Sequence, residues 1–177
     1  MDRIEPGVSD QPGEAGTAPA AVVFASKYGT TREIARRIAD GLGGAHLHDL
    51  ADGAPDLTGY DTVVLGTAVY AGRPLAAMTT YVASGALDGK RVALFVCGME
   101  PDPARRAQEV AAAYPPALAN RSGATAFLGG RFQFARMTRL ERFIVKRIAK
   151  VSTDVDAIDQ SAIDDFVTRL VQATRFE

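Results

Sequence analysis

The sequence predicts an α/β fold: a three-layer sandwich built on a five-stranded parallel sheet in the order 2-1-3-4-5. Three observations carry this expectation. Short apolar runs without polar alternation recur along the chain and read as strands buried on both faces. Stretches of helical period separate them, so strand and helix alternate in the rhythm of right-handed βαβ units. The turn after the first such strand then holds hydroxyls and a glycine, as expected where a doubly wound sheet binds ligands beyond its carboxyl edge.

The ordered part opens with Ala21-Val22-Val23-Phe24-Ala25, a buried-type strand. Glu33, Ile34, Ile38 and Leu42 follow at helical spacing and end at Gly43-Gly44, where a helix stops. Residues 45–50 alternate in polarity and read as an edge strand. Residues 61–66 form the next buried-type strand, and Pro74 to about Ser84 reads as a helix with proline in its first turn. Residues 91–96 supply another central strand, residues 102–114 a helix, and residues 124–128 the last strand. Two helical stretches, about 137–150 and 157–173, close the chain. Residues 1–20 are rich in Gly, Pro, Ala and acids and are expected to be a disordered tail, leaving one domain over 21–177.

Composition narrows the function. The chain has 177 residues, 47% hydrophobic and 23% charged, which is ordinary for one globular domain. Its net charge of -1 predicts no general attraction to nucleic acid. There is no run of apolar residues long enough to span a bilayer and no signal-peptide core, and Cys97 is the only cysteine. A cytoplasmic location is the expectation.

The segment Ser26-Lys27-Tyr28-Gly29-Thr30-Thr31 joins the first strand to the first helix. It offers hydroxyls, a flexible glycine and no acid. A phosphate there would meet backbone N–H groups, side-chain hydroxyls and the positive end of the helix dipole. The alternative is a helix capped by Thr30 or Thr31 with no ligand. The segment lacks the Gly-Lys-Ser/Thr ending of a P-loop and the glycines of the dinucleotide fingerprint, so a single phosphate monoester fits best. Two more loops leave the same sheet edge. One is Gly66-Thr67-Ala68-Val69-Tyr70-Ala71-Gly72-Arg73-Pro74, the other Cys97-Gly98-Met99-Glu100. Their small residues would let the backbone approach a flat ring, which Tyr70 would cover.

The Ser26-x-Tyr28-Gly29-x-Thr31 pattern after a strand resembles the flavodoxin phosphate motif, and Gly66 to Pro74 is similar to that family's second flavin loop. A late segment, Leu128-Gly129-Gly130-Arg131-Phe132-x-Phe134-x-x-Met137 followed by a basic helix, resembles the quinone-linked, flavodoxin-type protoporphyrinogen oxidases. The likeness spans about residues 21–174. Tyr28 departs from it, since flavodoxins often carry a threonine there. The resemblance implies FMN as cofactor, held by Ser26, Lys27, Tyr28, Gly29, Thr30 and Thr31, by Thr67, Ala68, Val69, Tyr70, Ala71 and Gly72, and by Cys97, Gly98 and Met99. It implies protoporphyrinogen IX as reductant and a quinone or similar acceptor.

Between Arg131 and Lys150 seven basic residues (131, 136, 139, 142, 146, 147 and 150) face one acid, Glu141. On a helix Met137, Leu140, Ile144 and Ile148 make an apolar stripe, with Arg139, Arg142, Lys146 and Lys150 opposite. One reading is a surface helix, apolar face on the core and basic face in water. The other is docking, with Arg131, Arg139, Arg142 and Lys146 meeting a tetrapyrrole's propionates, an acidic partner or anionic lipid through peripheral contact of residues 131–150.

Weaker signals are His46 and His48, which have no third metal ligand nearby, and Arg73, which would either face a reduced flavin or pair at a helix start. Cys97, at a strand end, reads as a buried small residue rather than a redox thiol. An electron carrier or quinone reductase of the same fold is the alternative function. Such carriers usually present a strongly acidic face, which this near-neutral chain lacks. A phospho-receiver would need acids after the first strand and an aspartate after the third, where this chain has Ala25-Ser26 and Gly66-Thr67.

Overall fold

The computed structural model describes residues 20–148 and 153–175. The expected tail lies outside this span except for Ala20, which begins strand β1 (Ala20–Ala25). Residues 21–25 are all buried, which explains the absence of polar alternation in this run. Helix α1 (Thr30–Gly41) returns over the sheet and leads to β2 (His46–Asp49), a short edge strand.

β3 (Thr62–Tyr70), β5 (Arg91–Cys97) and β6 (Ala124–Phe127) complete the parallel sheet, in the order β2-β1-β3-β5-β6. With the five parallel strands counted consecutively, this is the expected 2-1-3-4-5. The register aligns Ala25 with Thr67 and Ala68 with Cys97, so the first, second and third loops leave one edge side by side.

Each sheet face has its own core. Val23, Val63, Leu65 and Leu94 meet Met78 and Tyr81 of α2 (Ala76–Val82) and Ala113 of α3 (Pro103–Ala113). Val22, Phe24, Val64 and Phe95 meet Ile34 and Ile38 of α1 and Ile163 and Phe166 of α6 (Gln160–Arg175). Neighbouring residues of one strand serve opposite layers, as the pleat requires. Asp164 and Asp165 are exposed on α6.

Four features differ from expectation. The helix expected from Pro74 starts at Ala76. Pro74 instead lies in β4 (Arg73–Pro74), antiparallel to the end of β3. Proline disfavours helical backbone at the preceding Arg73 and suits an edge position that needs no N–H donor. Next, the strand expected to end at Gly66 runs on through Tyr70, so Thr67 to Tyr70 are strand rather than loop, and the turn is only Ala71-Gly72, with φ of 50° and 74°. Two positive φ values make the tight hairpin turn that matches strand twist, with Ala71 strained because it carries a Cβ.

The third difference is a two-residue ribbon of β7 (Arg131–Phe132) and β8 (Val155–Asp156), too short to leave a pattern in sequence. A short helix α4 (Pro116–Asn120) was also unforeseen. The expected helix over 137–150 is α5 (Arg139–Ile148); Lys150 falls outside the described residues.

The pair Gly129-Gly130 has a packing role. The Gly98 N–H donates to the Gly129 carbonyl at 3.1 Å and the Ala157 N–H to the Gly130 carbonyl at 2.9 Å. A Cβ at Gly129 would sit 1.9 Å from the Ala157 oxygen, and one at Gly130 2.7 Å from the Gly98 oxygen. Only bare backbone fits between the third loop and the segment that leads into α6.

Candidate functional site

β1 ends at Ala25 and α1 begins at Thr30, so four residues make the first loop. The Gly29 N–H donates to Ser26 Oγ at 3.0 Å and closes the turn. Gly29 itself, at φ 96°, is the residue before α1, and no side chain caps that helix. Thr30 and Thr31 lie inside the first turn, which corrects the alternative in which one of them is the cap. The start of a 12-residue helix is left with donors that no side chain satisfies, the condition that favours an anion.

A cleft of about 480 Å³ opens there, lined by Ser26, Lys27, Tyr28, Gly29, Arg32 and Arg136. Its lining holds three cations and no acid. Arg32 is held by an ion pair to Asp49, which is buried at the end of β2. Arg136 arrives from the far end of the chain and donates from Nη1 to the Tyr28 carbonyl at 2.7 Å. In sequence Arg136 is one member of a basic run and nothing more. Its place just before a helix start, after Phe132 and Phe134, was the sole available hint.

Thr31 is placed differently from a hydroxyl lining a cleft. It is 1% exposed, and its side chain hydrogen-bonds Cys97. Burial pushes the Cys97 thiol up to about 12, and the bond from Thr31 offsets part of that rise. Cys97 is therefore a neutral, buried thiol at the end of β5, and the pair fastens the first loop to the third.

The second loop meets the first through aromatics. The Tyr28 and Tyr70 rings stand edge to face at 6.0 Å, with the Lys27 ammonium 5.2 Å and 5.5 Å from their centres. Such cation–π contacts stabilise by roughly 0.5–1 kcal/mol at exposed sites. Tyr70 is 39% exposed, and Ala71 and Gly72 form the exposed tip. Thr67, Ala68 and Val69 are buried in β3; the Thr67 hydroxyl accepts from the Leu75 N–H and so fixes the hairpin. They position Tyr70 rather than line the cleft. Arg73 pairs across the hairpin from Tyr70 and is exposed.

In the third loop Gly98 is buried and Met99 half-buried. A Cβ at Gly98 would stand 3.0 Å from Phe127 and 3.1 Å from Glu109 Oε2. Burial, with a smaller contribution from Glu100, raises the Glu109 carboxyl above its ordinary range. The histidines are accounted for otherwise: His46 Nδ1 bonds the Tyr60 hydroxyl, and both rings pack edge to face on Tyr60.

Of the residues expected to dock a substrate or membrane, Arg131 is engaged elsewhere. It bonds Glu33 at 2.8 Å and Asp156 at 2.6 Å, clamping the β7–β8 ribbon to α1. Arg142 folds back onto the Met137 carbonyl at 3.0 Å. Arg139 and Lys146 are exposed. The apolar stripe does not lie on the core as a unit: Met137 is buried, whereas Leu140 is 68% exposed, with Phe143 beside it at 63%. The side chains of Ile144 and Ile148 lie outside the described residues.

A parallel sheet of this order, with a cationic anion cradle after its first strand, defines a mononucleotide-binding α/β protein. The chain belongs to the flavodoxin-domain family, whose model matches residues 21–158. No curated protein matches it. Among solved structures it is similar to oxidised Flavodoxin 2 from Bacillus cereus, with a TM-score of 0.57 and 17% identity over 88% of this chain and 99% of that one. It is also similar to a WrbA-like flavodoxin from Agrobacterium tumefaciens, with a TM-score of 0.54 and 18% identity over 90% and 98% of the two chains. Likeness at this identity concerns the fold. The cleft's own chemistry fits the FMN phosphate: an uncapped helix start, the Ser26 hydroxyl, and a lining with the cations Lys27, Arg32 and Arg136 and no acid, Arg32 being paired from outside the lining by Asp49.

Proposed function

We propose that this chain is an FMN-dependent oxidoreductase whose reductant is an amphiphilic acid of the protoporphyrinogen IX type, with a quinone or similar acceptor. The acid-free cationic cleft beside Tyr28 and Tyr70 supports the cofactor. Bound FMN supplies hydride acceptance; the chain supplies binding, orientation and electrostatics. The observation that carries the substrate class is α5. Leu140 and Phe143 stand exposed among Arg139, Lys146 and Arg147, one turn or so beyond Arg136 of the cleft. Apolar side chains with cations around them suit a ligand that is flat, apolar and carboxylated, and they equally suit an anionic lipid surface.

The test is an absorbance spectrum of the protein loaded with FMN, followed by anaerobic mixing with protoporphyrinogen IX. With the flavoprotein in more than threefold excess, because the porphyrinogen gives up six electrons and each FMN takes two, bleached flavin bands and the growth of porphyrin fluorescence are expected. A protein that takes up no FMN refutes the cofactor. Flavin bands that protoporphyrinogen IX leaves unreduced refute the substrate and leave the carrier or quinone-reductase reading. Retention on vesicles containing anionic lipid at low salt, with release at high salt, assigns α5 to the membrane; equal retention by neutral vesicles removes that role.

A further inference from the structure

We propose that Arg136 is the charge partner of the cofactor phosphate, reaching over the first loop from the segment that leads into α5. The proposal rests on the FMN reading above and extends it to a residue outside the loop motif. Arg136 lines the same cleft as Ser26 and Gly29, and its Nη1 would stand 3.2 Å from a Cβ at Gly29. The absence of that Cβ lets a guanidinium lie against the backbone at the start of α1.

Of the two arginines lining the cleft, Arg136 is the one with no carboxylate partner among the described residues. Arg32 is paired with Asp49, Arg37 with Glu33, and Arg131 with both Glu33 and Asp156. Among the described residues Arg136 meets no carboxylate, and its bond is to a neutral carbonyl, that of Tyr28. A fixed cation beside an uncapped helix start, in a cleft without acid, lacks an anion. One Nη bound to Tyr28 leaves the rest of the planar fork to donate to phosphate oxygens, which guanidinium does in a bidentate geometry that ammonium lacks.

Loop and guanidinium are 108 positions apart in sequence, so the contact also has a mechanical consequence. A phosphate held by both ties the 3₁₀ turn at Phe134–Arg136, and α5 just beyond it, to the start of α1. Cofactor occupancy then orders the element that carries Leu140 and Phe143.

The test compares FMN with riboflavin, which has the same ring and no phosphate, by quenching of flavin fluorescence in the full chain. Arg136→Ala should weaken FMN binding about tenfold to a hundredfold, the range for a hydrogen bond to a charged group. Riboflavin affinity should stay the same, and the salt dependence of FMN binding should become shallower. Arg136→Lys should recover part of the loss. FMN should slow hydrogen exchange across residues 133–148 in the wild type but not in Arg136→Ala. Equal FMN affinity in wild type and Arg136→Ala overturns the proposal, as does an equal loss for FMN and riboflavin. Wild-type protein that binds no FMN instead overturns the cofactor reading on which it rests.

Discussion

Gly66 tests the packing on which the site stands. Its place in the middle of β3 puts it directly under the Phe95 ring of β5. A Cβ there would lie 1.9 Å from Phe95 Cζ, 2.3 Å from Cε1 and 2.5 Å from Cε2. Ordinary contact needs more than a further ångström, so a Gly66→Ala methyl displaces the ring or the strand. The ring has little room: Phe95 is fully buried and packs on Phe166 of α6 at 6.4 Å between centres. Overpacking of this kind costs about 1–3 kcal/mol. For a chain of this length each kcal/mol moves the melting temperature by about 2–4 °C, so a fall of roughly 2–12 °C is expected. Urea denaturation followed by circular dichroism gives the companion measurement, a lower midpoint at unchanged slope. Phe95→Leu should remove much of the clash, so the double variant should be more stable than the sum of the single effects predicts. An unchanged midpoint in Gly66→Ala, or strict additivity in the double variant, would refute the assignment of this glycine to ring clearance.

Three further outcomes are expected. Cys97 should resist alkylation in the native protein: a thiol pushed up to about 12 from 9.0 holds on the order of a thousandfold less thiolate, and the group is 3% exposed. Fast native labelling with iodoacetamide at pH 8 would contradict its burial. Tyr70→Ala should change the fluorescence and midpoint potential of bound FMN more than its phosphate-driven affinity, measured by redox titration; identical spectra and potential would remove Tyr70 from the ring site. Asp156 has its carboxyl held below the usual range, first by the bond from Arg131. A depressed folded value stabilises above the unfolded value of about 3.9, and that contribution is lost as pH falls through the folded one. Wild type should therefore lose stability more steeply than Asp156→Asn below about pH 4, by a small margin because the carboxylate is half exposed; parallel pH profiles would show that the clamp contributes nothing.

The sheet was legible in sequence because burial on both faces erases alternation. Val22, Val23, Val63, Val64, Leu65 and Leu94 are all apolar because each faces one of two helical layers. What stayed hidden had no periodic signal. Thr67-Ala68-Val69-Tyr70 reads as a run of small loop residues, yet it is strand: the β4 edge pairs with Val69 and Tyr70, and the Thr67 hydroxyl fixes Leu75. The β7–β8 ribbon has two residues on each side and is held by Arg131 between Glu33 and Asp156, contacts 98 and 25 positions away. A basic residue followed by aromatics gives no sign of which acids it will meet.

The site divides the same way. Ser26 and Gly29 are local: one turn, closed by one hydrogen bond, places both at the start of α1, so their spacing in sequence carries over directly to their placement. Thr31 is in the same motif but turns inward to Cys97, a partner at the far end of β5 that no local pattern connects to it. Basicity in the 131–150 segment was equally visible, but its distribution of labour was not. Arg131 is spent on an internal clamp, Arg142 on the carbonyls before its own helix, and among the described residues of the segment only Arg136 crosses to the cleft. A charge count treats these residues as alike. Tertiary contacts separate them, and they leave one cation facing the loop where a phosphate monoester was expected. The late basic segment is thus joined to the first loop by a bond, which makes cofactor binding and the exposure of Leu140 and Phe143 parts of one physical problem.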